Sequence, residues 1–151
     1  KQWPIEKFGA LMKAIAAQHD VDFLITGTAK DAPLAVELEK AVPGHVHDLC
    51  GVSSISQSAA LFAHCALVVG NDGGAMHLAD AMGAKVVSIV PGLEYPISIE
   101  PWHNQHRAVR HPVPCAPCYS FASCPERHRR CMLDLPLDRV LHQCLRALAG
   151  E

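Results

Sequence analysis

The part of the sequence best suited to chemistry is a glycine-rich turn that follows a short apolar run. From residue 68 it reads Val-Val-Gly-Asn-Asp-Gly-Gly-Ala-Met-His. An apolar strand that ends in such a turn, with a helix directly after it, points free N–H groups and the positive end of the helix dipole at an anion. Asp72, Gly73 and Gly74 are therefore predicted to hold a phosphate, and His77 falls in the first helical turn, close enough to donate to it. Alternatively, Asp72 is an ordinary N-cap, the glycines only form the turn, and His77 is a surface histidine.

Two further turns have a similar character. The first contains Thr28, Lys30 and Asp31, whose hydroxyl, amine and carboxylate could meet a ribose, a phosphate or a base. Asp31 is equally suited to be the N-terminal charge of the following helix. The second is Gly51-Val52-Ser53-Ser54. Because ligands of doubly wound sheets bind at the carboxyl ends of the strands, the three turns are expected to line one crevice.

Four of the seven cysteines form a cluster late in the chain, namely Cys115, Cys118, Cys124 and Cys131. The first two have the spacing with which two thiolates bind one tetrahedral zinc ion, while the later pair is more widely spaced. His111 or His128 could replace one thiolate. A structural zinc, free thiols and two disulfides are all open readings of this cluster. The other three cysteines, Cys50, Cys65 and Cys144, lie in apolar surroundings and are predicted to be small core residues.

The elements that must position these residues alternate along the chain. Apolar periodicity, capping residues and breakers predict helices at residues 5–18, 35–41, 53–65, 74–82 and 136–149, and strands at 21–26, 47–50, 66–70 and 85–90. Strands that alternate with helices imply right-handed crossovers and parallel pairing. The predicted fold class is therefore α/β, a doubly wound parallel sheet. Residues 93–135 show no regular pattern.

Length and composition exclude several classes of protein. The chain has 151 residues, 50% of them hydrophobic and 19% charged, with a net charge of −2. One domain spanning residues 1–151 is expected, without the polybasic surface that nucleic acid requires. The apolar runs are far shorter than the roughly 20 residues of a membrane span, so we expect a soluble chain. No signal peptide is visible, and a first residue that is Lys1 rather than Met is compatible with removal of an upstream segment.

Common catalytic signatures are missing from the sequence. It contains no Gly-x-Ser-x-Gly elbow, no Walker A lysine motif and no His-Glu-x-x-His. The usual hydrolase, nucleotidase and zinc-protease mechanisms therefore have no support.

Taken together, the motifs resemble the C-terminal half of glycosyltransferase family 9, the heptosyltransferase family of lipopolysaccharide assembly. Lys1-Gln2-Trp3-Pro4 is similar to that family's Lys-x-Trp-Pro entry to its second domain, and the turn at residues 51–55 resembles its Gly-x-Thr-Ser-Leu loop. Residues 69–79 resemble its Asp-(Ser/Thr)-Gly-x-x-His-x-Ala signature, and the Cys-x-Pro-Cys stretch recurs in many members. One departure is Gly73, where the family usually has Ser or Thr.

The resemblance implies a GT-B-type enzyme with two Rossmann-like domains that transfers a sugar from a nucleotide diphosphate donor, typically ADP-heptose, with inversion and without a required cofactor. This chain would be the second, donor-binding domain. By motif, Asp72, Gly73, Gly74 and His77 would hold the diphosphate together with Lys1. Asp31 would lie near the ribose and the Ser53 loop near the base, and Thr28 is expected among the substrate-binding residues. An N-terminal domain would supply the acceptor contacts and the catalytic base.

The same resemblance gives an expected partner and location. The acceptor would be a lipopolysaccharide-type molecule, and the enzyme would be cytoplasmic, with peripheral association at the inner face of the bacterial inner membrane. Two other functions are open. The chain could be a non-catalytic nucleotide-binding module that interacts with a partner, or half of a nucleotide-sugar epimerase.

Overall fold

The structure, a computed structural model, describes residues 2–151. It contains four strands, β1 to β4, at Phe23–Ile25, Val46–Asp48, Val68–Asn71 and Val86–Ile89. The α-helices α1 to α6 are Ile5–Ala16, Ala32–Glu39, Ile55–His64, Gly74–Ala81, Arg130–Leu133 and Leu137–Ala149. Two 3₁₀ segments occupy Ala29–Asp31 and Trp102–Arg107.

The strands form parallel pairs, β1 with β2 and β3 with β4. Both pairings connect strands through a helix, α2 in the first case and α4 in the second, as parallel neighbours require. The predicted α/β class with parallel strands is therefore confirmed. The strands β1 and β4 are shorter than predicted at both ends. β2 begins one residue earlier and ends two residues earlier than predicted, and β3 begins two residues later and ends one residue later.

The chain divides into two compact units. The N-terminal unit is Pro4–Leu61, and the C-terminal unit combines Phe62–Glu151 with the residues up to Trp3. The single domain inferred from the chain length stays a prediction.

The N-terminal unit has a core formed by one face of α1, by α2 and by the strands β1 and β2. One cluster of this core contains the buried residues Met12, Leu38 and Val42, with partly buried side chains of Ile5, Phe8, Ala16, Phe23, Ile25 and Val46 around them. Gly9 in α1 lets the helices approach, because a β-carbon there would lie 3.2 Å from the β-carbon of Ala41.

The C-terminal unit has its core between β3, β4 and α4, with α6 also packed against β4. All four residues of β4 are buried, and so are Val140, Cys144 and Ala147 on one face of α6. Gly70 in β3 lies close to α4, since a β-carbon there would lie 2.9 Å from Met76 Cε and the end of that side chain would have to shift. The close contact of α4 with β3 fixes the position of the turn between them.

Residues 93–135 make specific contacts with the core of the C-terminal unit despite their irregular sequence. Val109 bridges to Ile89 and extends the β3–β4 pair. Asp80 of α4 accepts hydrogen bonds from the backbone N–H of His103, at 3.1 and 3.2 Å, and from Asn104 Nδ2 at 2.6 Å. Buried polar contacts of this kind hold the segment without the apolar periodicity of a helix or strand.

Candidate functional site

The turn between β3 and α4 is the centre of the candidate site. Asp72 and Gly73 connect the two elements, and α4 begins at Gly74. The Asp72 N–H donates to the Ile89 carbonyl oxygen at 2.9 Å, which keeps the turn in register with the end of β4. Gly73, Gly74 and Ala75 are exposed. The predicted strand–turn–helix geometry is therefore present at the carboxyl end of β3.

The first turn of α4 presents unused hydrogen-bond donors. The Met76 and His77 N–H groups donate to the Gly73 carbonyl oxygen at 3.0 and 3.4 Å. Among the described residues, none accepts a hydrogen bond from the N–H of Gly74 or Ala75, and no side chain caps the helix. Two exposed N–H groups at the positive end of the helix dipole are suited to binding an anion.

The two glycines of the turn are not required by contacts within the chain. Gly73 has a φ of 163°, which is extended backbone, and a β-carbon there would lie 3.9 Å from its nearest neighbour, the Asn71 carbonyl oxygen. A β-carbon on Gly74 would meet nothing within 4 Å. The chain thus leaves open space above the free N–H groups, which a bound phosphate could occupy.

Asp72 and His77 face each other across the turn. His77 Nε2 lies 3.8 Å from Asp72 Oδ1, and the Asp72 side chain is 15% exposed against 49% for His77. Asp72 Oδ1 is buried and accepts no hydrogen bond from a residue that the structure describes. Burial raises the pKa of Asp72 above its ordinary value, as does the charge of Glu100, whereas His77 and Arg110 act in the opposite direction. The carboxylate is therefore held in an unfavourable, incompletely satisfied environment, as is common for functional groups.

Trp3 packs behind this turn. Its backbone N–H donates to Asn71 Oδ1 at 2.8 Å, and its indole Nε1 donates to the Leu135 carbonyl oxygen at 3.1 Å. Trp3 is only 2% exposed. The Lys-x-Trp-Pro motif thus supports the strand that leads into the site, whereas Lys1, predicted to contact the diphosphate, lies outside the described residues.

The turn after β1, in the N-terminal unit, binds its own polar groups. Asp31 Oδ2 accepts hydrogen bonds from both the N–H and the Oγ1 of Thr28, each at 2.8 Å. These bonds lower the pKa of Asp31. A β-carbon on Gly27 would lie 2.8 Å from Asp31 Oδ2. The structure therefore gives Asp31 a capping role, while its predicted role near a ribose stays a prediction.

The turn after β2 lies against the turn after β1. The Gly51 N–H donates to the Gly27 carbonyl oxygen at 2.9 Å. Gly51 has a φ of 75°, and a β-carbon there would lie 2.8 Å from Ala29 Cα. This contact brings Thr28, Asp31 and Ser53 onto neighbouring turns at one edge of the β1–β2 pair.

Ser53 and Ser54 have different roles at the start of α3. Ser54 caps the helix reciprocally, since its N–H donates to Gln57 Oε1 at 2.8 Å and the Gln57 N–H donates to Ser54 Oγ at 3.3 Å. Ser53 is half-buried, with its Oγ 2.9 Å from Ser58 Oγ. A contact between Ser53 and a base stays a prediction.

The sequence did not reveal one ion pair beside the site, that of Glu100 and Arg110. Arg110 Nε donates to Glu100 Oε1 at 2.6 Å, and the Glu100 side chain is 3% exposed. Both residues lie in the segment without periodicity, ten positions apart in the chain, so no local pattern indicates the contact. Charged side chains are rarely this buried unless each one is paired with an opposite charge.

The structure joins none of the four clustered cysteines in a disulfide. Cys115, Cys118, Cys124 and Cys131 are all partly buried. Cys115 Sγ lies 3.7 Å from His128 Nε2, and His128 Nδ1 accepts a hydrogen bond from the Arg130 N–H at 3.0 Å. Within residues 2–151, no group of three or more His, Cys, Asp or Glu side chains is arranged to hold a metal ion. The four cysteines thus do not form a tetrahedral set here, and zinc binding stays a prediction for metal analysis.

The remaining cysteines behave mainly as core residues. Cys144 is fully buried in α6, and burial raises the pKa of its thiol to about 12. Cys50 is also buried, which raises its pKa to about 11, and Cys65 packs partly buried against the core of the C-terminal unit.

Over the described range, no helix is long and apolar enough to cross a membrane.

The chain is similar to known heptosyltransferases. It matches the family model for glycosyltransferase family 9 (heptosyltransferase) over residues 1–128. A lipooligosaccharide heptosyltransferase 2 from Campylobacter jejuni is 29% identical over an alignment that covers 100% of this chain and 48% of that protein. The lipopolysaccharide heptosyltransferase 2 of Escherichia coli is 25% identical, with 100% and 44% covered. The chain therefore spans about half the length of these curated relatives.

Two solved structures share the fold. The ADP-heptose lps heptosyltransferase II of E. coli has a TM-score of 0.75 and 22% identity, covering 98% of this chain and 42% of that one. A family 9 glycosyl transferase from Veillonella parvula has a TM-score of 0.79 and 17% identity, covering 100% and 43%. These likenesses show the Rossmann-like α/β fold of GT-B enzymes. With the family model matched over most of its length, the chain belongs to glycosyltransferase family 9.

Proposed function

We propose that this chain is the donor-binding part of an inverting glycosyltransferase, and that it holds a nucleotide diphosphate sugar with its phosphates on the turn between β3 and α4. The observation that carries the proposal is the pair of exposed, unused N–H groups of Gly74 and Ala75 at the start of α4. A diphosphate carries the charge and the acceptor oxygens that such a helix terminus binds.

Asp72 and His77 complete the proposed site. His77 adds a side-chain N–H donor beside the helix terminus, and its Nε2 lies 3.8 Å from Asp72 Oδ1. The buried, unpartnered Asp72 Oδ1 can accept a hydrogen bond from a hydroxyl group. The site therefore offers donors for phosphate oxygens and one acceptor for a hydroxyl of the donor molecule.

These groups supply one of the two functions that inverting transfer requires. The free N–H groups and His77 stabilise the negative charge that develops on the leaving diphosphate. A base must also take the proton of the acceptor hydroxyl. We assign that base and the acceptor contacts to a separate N-terminal domain, by resemblance to the family.

The substrates follow from the relatives as proposals. The donor is ADP-heptose or a related nucleotide sugar, and the acceptor is a lipopolysaccharide-type molecule presented at the inner face of the bacterial inner membrane. The turns after β1 and β2 would contact the nucleoside, with Thr28 and Asp31 near the ribose and Ser53 near the base. Asp31 uses Oδ2 for both bonds to Thr28, which leaves Oδ1 for a ribose hydroxyl.

Calorimetric titration with ADP, UDP, GDP and ADP-heptose tests the proposal. We expect ADP and ADP-heptose to bind best, with a dissociation constant on the order of 10 μM to 1 mM for a single domain. Adenosine is the matched control, because it keeps the base and ribose but lacks the phosphates. Equal affinity for ADP and adenosine, or no binding by any nucleotide, would sink the phosphate site. Isomerised donor in the absence of an acceptor would instead indicate the epimerase alternative.

A further inference from the structure

The loop that follows β4 begins directly beside the proposed phosphate turn. The Asp72 N–H donates to the carbonyl oxygen of Ile89, the last residue of β4, at 2.9 Å. The loop consists of residues 91–97 and therefore begins two positions after Ile89. The start of the loop packs closely against Ala116, since a β-carbon on Gly92 would lie 3.0 Å from the β-carbon of Ala116. Its course therefore determines what lines the site next to Asp72.

A single guanidinium group holds the other side of this loop. Arg110 Nη1 donates to the carbonyl oxygens of Pro91 at 3.1 Å and Glu94 at 2.9 Å, and Nη2 donates to that of Tyr95 at 3.4 Å. The planar guanidinium can serve several acceptors at once because its five N–H donors have a fixed geometry. Arg110 thus connects three carbonyl groups that would otherwise have no common partner.

Glu100 fixes the guanidinium in turn. Its Oε1 accepts from Arg110 Nε at 2.6 Å, and its Oε2 accepts from the Ile99 N–H at 3.1 Å. The Arg110 side chain is 18% exposed and that of Glu100 only 3%. Burial by itself would raise the pKa of Glu100, but the hydrogen bond and charge of Arg110 outweigh it and lower the pKa. The pair is therefore ionised, and its orientation is set by hydrogen bonds at both ends.

The loop contains backbone strain that must be held by its surroundings. Ile97 has a φ of 72°, in the left-handed region that β-branched residues rarely adopt. Strain of this kind persists only where neighbouring contacts over-determine the conformation, and it occurs preferentially at functional sites. The carbonyl groups of Glu94 and Tyr95, which Arg110 binds, lie three and two positions before Ile97.

We propose that Arg110, held by Glu100, is a positioning residue of the donor site, fixing residues 91–97 in the conformation that receives a nucleotide diphosphate beside Asp72. The inference rests on the proposed function. It is supported by electrostatics, because the charges of Arg110 and Glu100 both act on the pKa of Asp72 and therefore lie within electrostatic range of it.

The experiment compares the parent chain with Arg110→Lys, using ADP as the probe. Lysine keeps the positive charge opposite Glu100 but cannot reproduce the fork that joins three carbonyls. We expect amide hydrogen exchange in residues 92–98 to become about tenfold faster and the ADP dissociation constant to rise about fivefold. Glu100→Gln is the second variant, with smaller changes in the same direction, and it tests the idea if Arg110→Lys does not fold.

Asn104→Ala is the matched control in the same unit. Asn104 is buried and bonds Asp80, Val86 and Ala84, so its loss destabilises the unit without contacting the loop. We expect a lower unfolding midpoint and an unchanged ADP affinity. Unchanged loop exchange in Arg110→Lys, unchanged ADP affinity despite faster exchange, or equal weakening by Asn104→Ala would each overturn the positioning role. If the parent itself fails to bind ADP, the proposed function fails and the positioning role falls with it.

Discussion

The turn after β3 and the turn after β1 both lead from a parallel strand into a helix, but their polar groups are used differently. In the turn after β1, Asp31 Oδ2 accepts two hydrogen bonds from Thr28. In the turn after β3, Asp72 Oδ1 is buried without a hydrogen bond, and the Gly74 N–H lacks an acceptor among the described residues. A turn whose groups bond one another has fewer hydrogen bonds left for a ligand, whereas a ligand that satisfies unpartnered groups lowers the free energy of the complex.

The glycines of the two regions show the same contrast. Gly27 and Gly51 are required by the protein itself, since a β-carbon on either would lie 2.8 Å from another atom of the chain. Gly74 has open space around it and Gly73 only an ordinary contact. The chain thus tolerates side chains at Gly73 and Gly74 sterically, and the constraint there would come from a ligand.

The largest effect on the difference between the two turns is expected from a negative charge at the start of α4. Gly74→Asp should weaken ADP binding by about 100-fold, because the carboxylate occupies the space and cancels the charge that a phosphate requires. Gly74→Asn is the matched control, with the same shape and no charge, and should bind ADP at least about tenfold better than Gly74→Asp. Calorimetry measures both.

Gly74→Asp should bind ADP more weakly than Gly74→Asn but should not be less stable. An Asp at the first position of a helix interacts favourably with the dipole, by about 0.3–1 kcal/mol. The thermal unfolding midpoint of Gly74→Asp should therefore equal or exceed that of Gly74→Asn. Equal ADP affinities for the two variants would contradict an anion site at this turn.

Alanine substitutions at two glycines sharpen the contrast in stability. Gly51→Ala should lower the free energy of unfolding by about 2 kcal/mol or more, because an alanine is forced into the left-handed region and against Ala29. Gly74→Ala should raise it by up to about 1 kcal/mol, since alanine favours the helix. Urea unfolding followed by circular dichroism measures both, and changes of the same sign would show that the two turns do not differ as described.

Asp72→Asn tests whether the unsatisfied carboxylate costs stability. The folded-state pKa of Asp72 is raised, so its contribution to stability is greatest when it is protonated and is lost as the pH rises through that pKa. At pH 7 the Asn variant should therefore be more stable than the parent by about 1 kcal/mol, because a neutral amide costs less to bury than an ionised carboxylate. This advantage should disappear on acidification to about pH 3, where the parent carboxyl is protonated.

Thermal unfolding of parent and variant across this pH range provides the measurement. Glu126→Gln is the control, because Glu126 is an exposed carboxylate. A loss of stability in Asp72→Asn at pH 7 would mean that the ionised Asp72 has a stabilising partner in the folded chain.

How much of this could be predicted from the sequence depended on how local the determining contacts are. The apolar run of β4 and the Gly-Gly turn before α4 are local patterns, and both were predicted correctly. The capping role of Asp31 was one of two open interpretations, because Thr28 and Asp31 have capping-box spacing while their residue types also suit a ligand. Neither Glu100 nor Arg110 was predicted, since tertiary structure alone brings them together.

The smallest expected effect is at Gly73, where the family usually has Ser or Thr. A substitution there tests whether the turn after β3 leaves its polar groups to a ligand or uses them within the chain, as the turn after β1 does. Extended backbone and a β-carbon distance of 3.9 Å allow a serine there without strain. In Gly73→Ser the hydroxyl can contact a phosphate, and we expect ADP to bind about threefold more tightly. As an N-cap, Ser should also stabilise the chain by a few tenths of a kcal/mol, whereas Gly73→Ala, which lacks the hydroxyl, should improve neither property. If Gly73→Ser gained stability but bound ADP no better than Gly73→Ala, the hydroxyl would be used within the chain, as Asp31 is in the turn after β1.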